Sequence, residues 1–324
     1  MTTRQRHIRA IERFIRCALK RDDPNLLQHR DADFMRQVTA LFQRTVYPYH
    51  RAEVRGLQRI PRDASLIYIG NHNGFPYMSE AFVFTSALFE HLGMRDYPYL
   101  LMHDFAFRFP LANQFFTRYG GLRASRENAE RVLQRDASLL IYPGGDAELM
   151  RPYRERTRLK FQGRTGHVRL AIEYDRPIVP FVSVGGHSIS IIVHDLPWLA
   201  QILGAKRWLR VSAWPLVLSF PWGLTLGPII PPYLPWPSRI IIEALEPMRF
   251  TAPAGTDPND PGWVAQCAKR LEDTMEAALR RLEAERVGKP ARNEPSRHEA
   301  AHAGADDMGG RQRARNPRLV ALEA

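Results

Sequence analysis

Short apolar runs separated by amphipathic stretches recur through the middle of the chain, and this alternation limits the possible folds more than any other feature. "SLIYIG" (65–70), "YPYLLMH" (97–103), "SLLIYPGG" (138–145) and "PIVPFVSVG" (177–185) have the length and composition of strands buried on both faces. Between them, "MSEAFVFTSALFEHLG", "DFAFRFPLANQFFTRYG", "RENAERVLQRD" and "TGHVRLAIEYD" read as helices, with "GLRAS" opening the third. Strand and helix in alternation predict an α/β fold with a mixed, mainly parallel central sheet flanked by helices. Later runs, "RIIIEALEPMRF" among them, read as strands added to that sheet, and "DPGWVAQCAKRLEDTMEAALRRLEAERV" (260–287) as a C-terminal helix. Three regions follow: a basic helical N-terminal region over 1–62, a main domain over 63–287, and a polar tail over 288–324 whose composition predicts disorder.

The 324 residues suffice for one large core. Cys17 and Cys267 lie too far apart in sequence for a disulfide framework or a zinc-ligand spacing, which suits a reducing, intracellular compartment. The histidines at 103, 167, 187 and 194 are scattered, and no metal site is expected. A formal charge of +12 favours an anionic partner: nucleic acid, an acidic membrane surface or a phosphorylated substrate. Residues 1–62 carry fourteen Lys/Arg against six Asp/Glu, so most of the surplus is N-terminal. Within them "RQRHIRAIERFIRCALKR" reads as a basic amphipathic helix, suited either to packing on its own domain or to lying in a membrane interface. No apolar core of a signal peptide develops, although an Arg-rich transit peptide is compatible. Val211–Ser238 is uncharged, but seven prolines and two glycines rule out a spanning helix; it reads as a buried connection with part as an apolar rim against lipid.

In an open α/β sheet, function gathers in loops beyond the strand ends. Three such loops carry unusual chemistry. "GNHNGFPYMSE" (70–80) places His72 directly after a strand, with Glu80 as a carboxylate able to fix its tautomer if the turn brings the two together. "LRASRENAERV" makes Ser125 a helix N-cap, whereas Arg126 in the first turn opposes the helix dipole and calls for an anion or a nearby carboxylate. "YPGGDAELMRP" sets Gly144 and Gly145 after a strand, where backbone N–H groups can converge on an anion, with Asp146 and Glu148 able to hold a hydroxyl or an arginine. No Walker loop, G-x-G-x-x-G or G-x-S-x-G is present, which removes support for a P-loop, dinucleotide binding and a nucleophile-elbow hydrolase.

The order of the blocks, "NH", then "SRENA", then "YPGGDAELMRPYRERTRLKFQGRTG", then "PIVPFVSVGG", resembles the lysophospholipid acyltransferase superfamily, in particular its bacterial glycerolipid branch related to diacylglycerol acyltransferases. The resemblance spans roughly Ile67 to Phe250. It implies transfer of a fatty acyl group from acyl-CoA or acyl-carrier protein to a hydroxyl of a lysophospholipid or related glycerolipid, with no cofactor beyond that co-substrate. His72 would be the general base, with no acyl-enzyme. The superfamily's usual aspartate position, five residues after the histidine, is Tyr77 here, so Glu80 is nominated as orienting acid. Arg126 and the Gly144-Gly145 backbone would meet the acceptor's phosphate or polar head, with Asp146, Glu148, Arg151 and Arg164 building or bracing that pocket. The implied setting is the cytoplasmic face of a membrane, as a peripheral protein on an anionic surface. The other reading is a noncatalytic lipid-binding protein on the same fold; nucleic-acid binding has only charge in its favour, since no module of that kind is present.

Overall fold

A computed structural model describes residues 19–227 and 234–288. Apart from its last residues, the basic N-terminal helix lies outside them, as do Cys17 and the polar tail. Among the described residues ten strands form two sheets: β1 (Glu53–Arg55), β2 (Ile67–Gly70), β3 (Tyr99–Met102), β4 (Gly121–Arg123), β5 (Leu139–Ile141), β6 (Ile178–Val184), β7 (Ile191–His194), β8 (Leu216–Ser219), β9 (Gly223–Leu226) and β10 (Ile241–Ala244). The larger sheet has the order β1-β10-β6-β2-β5-β3-β4. From β6 to β4 every neighbour is parallel, whereas β10 runs antiparallel to β6 and carries β1 beside it in its own direction. The expected mixed, mainly parallel sheet is thus present.

Both faces of this sheet are covered, which is why its strands read as continuous apolar runs. Ile67 and Ile69 of β2 enter one core cluster with Val182 of β6; Tyr68 enters the other with Val179 and Phe181. The first face is closed by the long helix Pro261–Arg286, whose Val264, Leu271, Met275, Leu279 and Leu282 recur at helical spacing and are fully buried. Each such leucine contributes about 1.5–3 kcal/mol of burial. Asp260 caps that helix, accepting from the Trp263 N–H at 2.8 Å. The second face is closed by Ala32–Arg44 and by Ser79–Asp96, which turns left-handed at Gly93.

Two local readings change. "GLRAS" does not open a helix: Gly121–Arg123 forms the edge strand β4 paired with β3, and the helix Arg126–Leu133 begins only after Ser125, whose side chain accepts from the Asn128 N–H. Three residues are too few to show alternation, and what makes them a strand is the unpaired edge of β3. The line at residue 62 has Glu53–Arg55 on its N-terminal side, and these residues pair with β10, so part of the 1–62 region belongs to the main sheet. Val211–Ser238 supplies β8 and β9, which join β7 in a separate antiparallel sheet. No helix among the described residues is long and apolar enough to cross a membrane.

Candidate active site

The five parallel strands all end at one edge of the sheet, and there the loops after β2, β5 and β6 meet. Two asparagines fasten the first of these loops to β6. Asn71 donates to the Ser183 carbonyl at 3.0 Å and accepts from the Ser183 N–H at 2.7 Å. Asn73 donates to the same carbonyl at 3.0 Å and to the Ser183 hydroxyl at 2.8 Å. His72, held between them, places Nδ1 3.1 Å from Oε1 of Glu80 in the first turn of Ser79–Asp96. The same oxygen accepts from the Asn73 N–H at 3.1 Å, and Glu80 is fully buried. Gly74 makes room for this carboxylate: its backbone is left-handed, and a Cβ there would lie 2.3 Å from Glu80 Oε2.

A carboxylate at Nδ1 accepts the proton of that nitrogen and leaves Nε2 with its lone pair, the tautomer suited to taking a proton from a substrate. The Tyr142 ring stacks on the imidazole, with centroids 4.4 Å apart and planes 19° from parallel. Burial, with the Glu80 and Glu148 charges adding to it, pushes the Tyr142 phenol well up, so it stays protonated.

Behind the histidine lies an ion pair that does not face solvent. Glu148 and Arg151, one helical turn apart, approach to 3.4 Å with neither side chain accessible. Glu148 Oε2 accepts from the His72 N–H at 3.0 Å, and Arg151 Nη1 donates to the His72 carbonyl at 2.9 Å. Both backbone polar groups of His72 are therefore fixed by this pair. Arg151 also donates to the carbonyls of Glu148, Glu155 and Arg156, which satisfies the guanidinium without a ligand. Gly144 is what lets Glu148 approach: a Cβ there would sit 2.3 Å from the Glu148 Cβ.

A cavity of about 970 Å³ opens beside His72. Phe82, Leu100, Phe116, Tyr119 and Leu140 give it apolar walls, and its charged lining residues are Arg126, Asp146, Arg164 and Arg210. Of the residues singled out from sequence, His72, Arg126, Gly145, Asp146 and Arg164 line it, whereas Glu80, Gly144, Glu148 and Arg151 stand behind the lining. Arg126 has the nearby carboxylates its position called for, Glu130 at 2.6 Å and Glu173 at 2.7 Å. Arg164 instead donates to two neutral oxygens, the Pro143 carbonyl at 2.7 Å and Gln162 Oε1 at 2.9 Å. Asp146 holds no arginine among the described residues; it accepts from the Ser212 N–H at 2.5 Å and hydroxyl at 2.7 Å, tying the glycine loop to the chain that leads into β8. Sequence reasoning gave no role to Tyr142 or to the Asn71 and Asn73 clamp. The asparagines flanking His72 were a visible signal, and the stacking tyrosine left none.

His167, also in the cavity lining, is buried with Nε2 unpartnered, and burial pushes its imidazole down to about 4. The folded chain keeps it neutral while the unfolded chain, titrating near 6.5, takes up a proton. Stability present above about pH 6.5 is therefore lost as pH falls toward 4, by about 3 kcal/mol from this residue. Urea unfolding followed across that range should show the loss, and His167→Gln should flatten the slope by about one proton. An unchanged slope would contradict a neutral buried imidazole.

The fold and the site together define a class: an α/β protein with a histidine–carboxylate pair at the carboxyl end of a parallel strand, opening on an apolar cavity. Residues 51–184 match the family model described as Acyltransferase. An uncharacterized protein of Mycobacterium tuberculosis is 28% identical over 234 residues, 72% of this chain and 62% of that protein. The chain thus spans less than two thirds of the length of that relative. Phytyl ester synthase 2 of Arabidopsis thaliana is 27% identical over 145 residues, 44% of this chain and 21% of that protein. Among solved structures, the 1-acyl-sn-glycerophosphate acyltransferase PlsC of Thermotoga maritima aligns with a TM-score of 0.44 and 14% identity, over 77% of this chain and 80% of that one.

Proposed function

We propose that this protein transfers a fatty acyl group from a thioester, acyl-CoA or acyl-carrier protein, to a hydroxyl of a lysophospholipid or related glycerolipid, working as a peripheral protein at a membrane. The observation that carries the reading is the His72–Glu80 contact beside an apolar cavity, within the stretch that matches the acyltransferase family model. His72 Nε2 takes the proton of the acceptor hydroxyl as its oxygen bonds to the thioester carbonyl carbon. The carbon–sulfur bond then breaks, and the imidazolium returns the proton to the departing thiolate. Glu80 holds the ring and stabilises its charge between these events. In this reading the transfer is direct, since neither cysteine lies in a nucleophile motif and Cys267 is buried in the C-terminal helix and not among the residues lining the cavity. The apolar walls suit an acyl chain.

Arg164 is the better placed cation for an acceptor phosphate, because no acid among the described residues pairs with it, whereas Arg126 shares its charge with two. Arg164→Ala should raise KM for a phosphate-bearing acceptor about tenfold to a hundredfold with a smaller change in kcat. Arg126→Ala should do less. Equal effects on a phosphate-free acceptor would remove Arg164 from headgroup recognition.

The deciding test is transfer by the purified protein from labelled long-chain acyl-CoA and acyl-carrier protein to a panel of lysophospholipids and diacylglycerol in liposomes. A radiolabelled product that forms with one acceptor supports the reading and names the acceptor. Lipid binding with no product from any donor would favour the noncatalytic alternative.

A further inference from the structure

We propose that the outer face of the β7-β8-β9 sheet docks this protein on an anionic lipid bilayer; the inference rests on the lipid-acceptor reading above and assigns it a membrane surface. Directly paired residues of an antiparallel sheet project to the same side. The pairings Ile191 with Leu218 and Leu218 with Leu224 therefore make one apolar row on the outer face, and Leu216 with Leu226 a second that ends on His194, the partner of Leu216 in β7. Leu224 and Leu226 are 60% and 55% exposed. The hairpin joining β8 to β9 presents Phe220 and Trp222, each about half exposed at 51% and 52%. Residues 211–227 hold no charged side chain.

An antiparallel sheet with one face in water ordinarily alternates apolar and polar residues. This one instead carries Leu216, Leu218, Leu224 and Leu226 on its outer face, while its inner face holds Thr225 beside apolar residues. Its inner face, Ile192 and Val217, packs with Phe75 and Met150, which also line the cavity beside His72. The exposed face and the cavity are thus the two sides of one thin layer, which places a bilayer docked there next to the reacting groups.

The charges select the occupant. Lys206 and Arg207 are exposed in the connection between β7 and β8, whereas Arg210 of the same connection lines the cavity and is already paired with Asp104. Apolar and aromatic side chains with cations in the adjoining connection match the interfacial layer of an anionic membrane. A second copy of this chain would offer the same cations, not the anions that complement them.

The test is co-sedimentation of the full chain with phosphatidylcholine vesicles, with and without phosphatidylglycerol. The wild type should bind, more tightly when phosphatidylglycerol is present. Leu224→Glu with Leu226→Glu should weaken binding to both by at least about tenfold, and Lys206→Ala or Arg207→Ala should each cost about fivefold only on the anionic vesicles. Circular dichroism checks the leucine variant's fold. Independently of it, brominated phosphatidylcholine should quench the fluorescence that Trp222→Phe removes. Undiminished binding by the leucine variant, no quenching at Trp222, or a dimer in solution that this variant disperses would each overturn the proposal. Binding is read without turnover, so the two readings fail separately. Binding through this face with no acyl transfer would sink the acyltransferase reading alone; transfer to detergent-dispersed acceptor without vesicle binding would sink the docking surface alone.

Discussion

His72→Ala should lower the rate of acyl transfer by about a hundredfold to ten-thousandfold, the usual loss when a general base is removed, while far-UV circular dichroism stays close to wild type. The side chain contributes little to the core: its partners are Glu80 and Tyr142, and the bonds from Glu148 and Arg151 go to its backbone, which alanine retains. Glu80→Gln keeps the shape and removes the charge that steadies the imidazolium. It should cost less, about tenfold to a hundredfold, as orienting partners do. The loss should fall on kcat, since Glu80 lies behind the cavity lining. Turnover by His72→Ala within a few-fold of wild type would remove His72 as the base, whatever Glu80→Gln did.

Glu148→Ala should be the most destabilising single change near the site, by about 3–5 kcal/mol in urea unfolding. Burial pushes the Glu148 carboxyl up and the Arg151 guanidinium down, and each is the chief electrostatic support of the other. Removing the acid leaves a guanidinium that is wholly inaccessible with carbonyls alone for partners. The His72 N–H and the Lys160 N–H also lose their acceptor. Replacing both members, Glu148→Leu with Arg151→Met, should recover much of the stability, because neither charge is then stranded. Activity should stay low in the double variant, since nothing then grips the backbone of His72. A single-variant cost under about 1 kcal/mol would show that water reaches Arg151; full activity in the double variant would show that the pair serves stability and not the histidine.

Much of the site was legible before the fold. The strand-then-loop pattern put His72, Arg126 and Gly144-Gly145 each just after an apolar run or a helix start, and these positions do lie at one edge of the sheet. Ser125 as an N-cap followed from residue type alone, because its hydroxyl reaches an N–H three residues away. Glu148 and Arg151 share a helical face by spacing, yet their burial and their hold on His72 were not readable: the bonds run 76 and 79 residues along the chain. They exist because β2 pairs with β5, which makes the loops that follow those strands neighbours.

Residue order settles what is local: which runs are apolar enough to be buried strands, where helices are capped, and which loops carry a base, a cation or paired glycines. Side-chain period and backbone preference act over a few residues and need no partner. It took the packed fold to turn Glu80 back to His72, to set Arg126 against Glu130 and Glu173, to return "RIIIEALEPMRF" antiparallel to β6, and to leave Leu224 and Leu226 of the small sheet exposed. Each depends on strand order and on which loops come to rest together, and contacts between residues dozens of positions apart follow from packing the whole core.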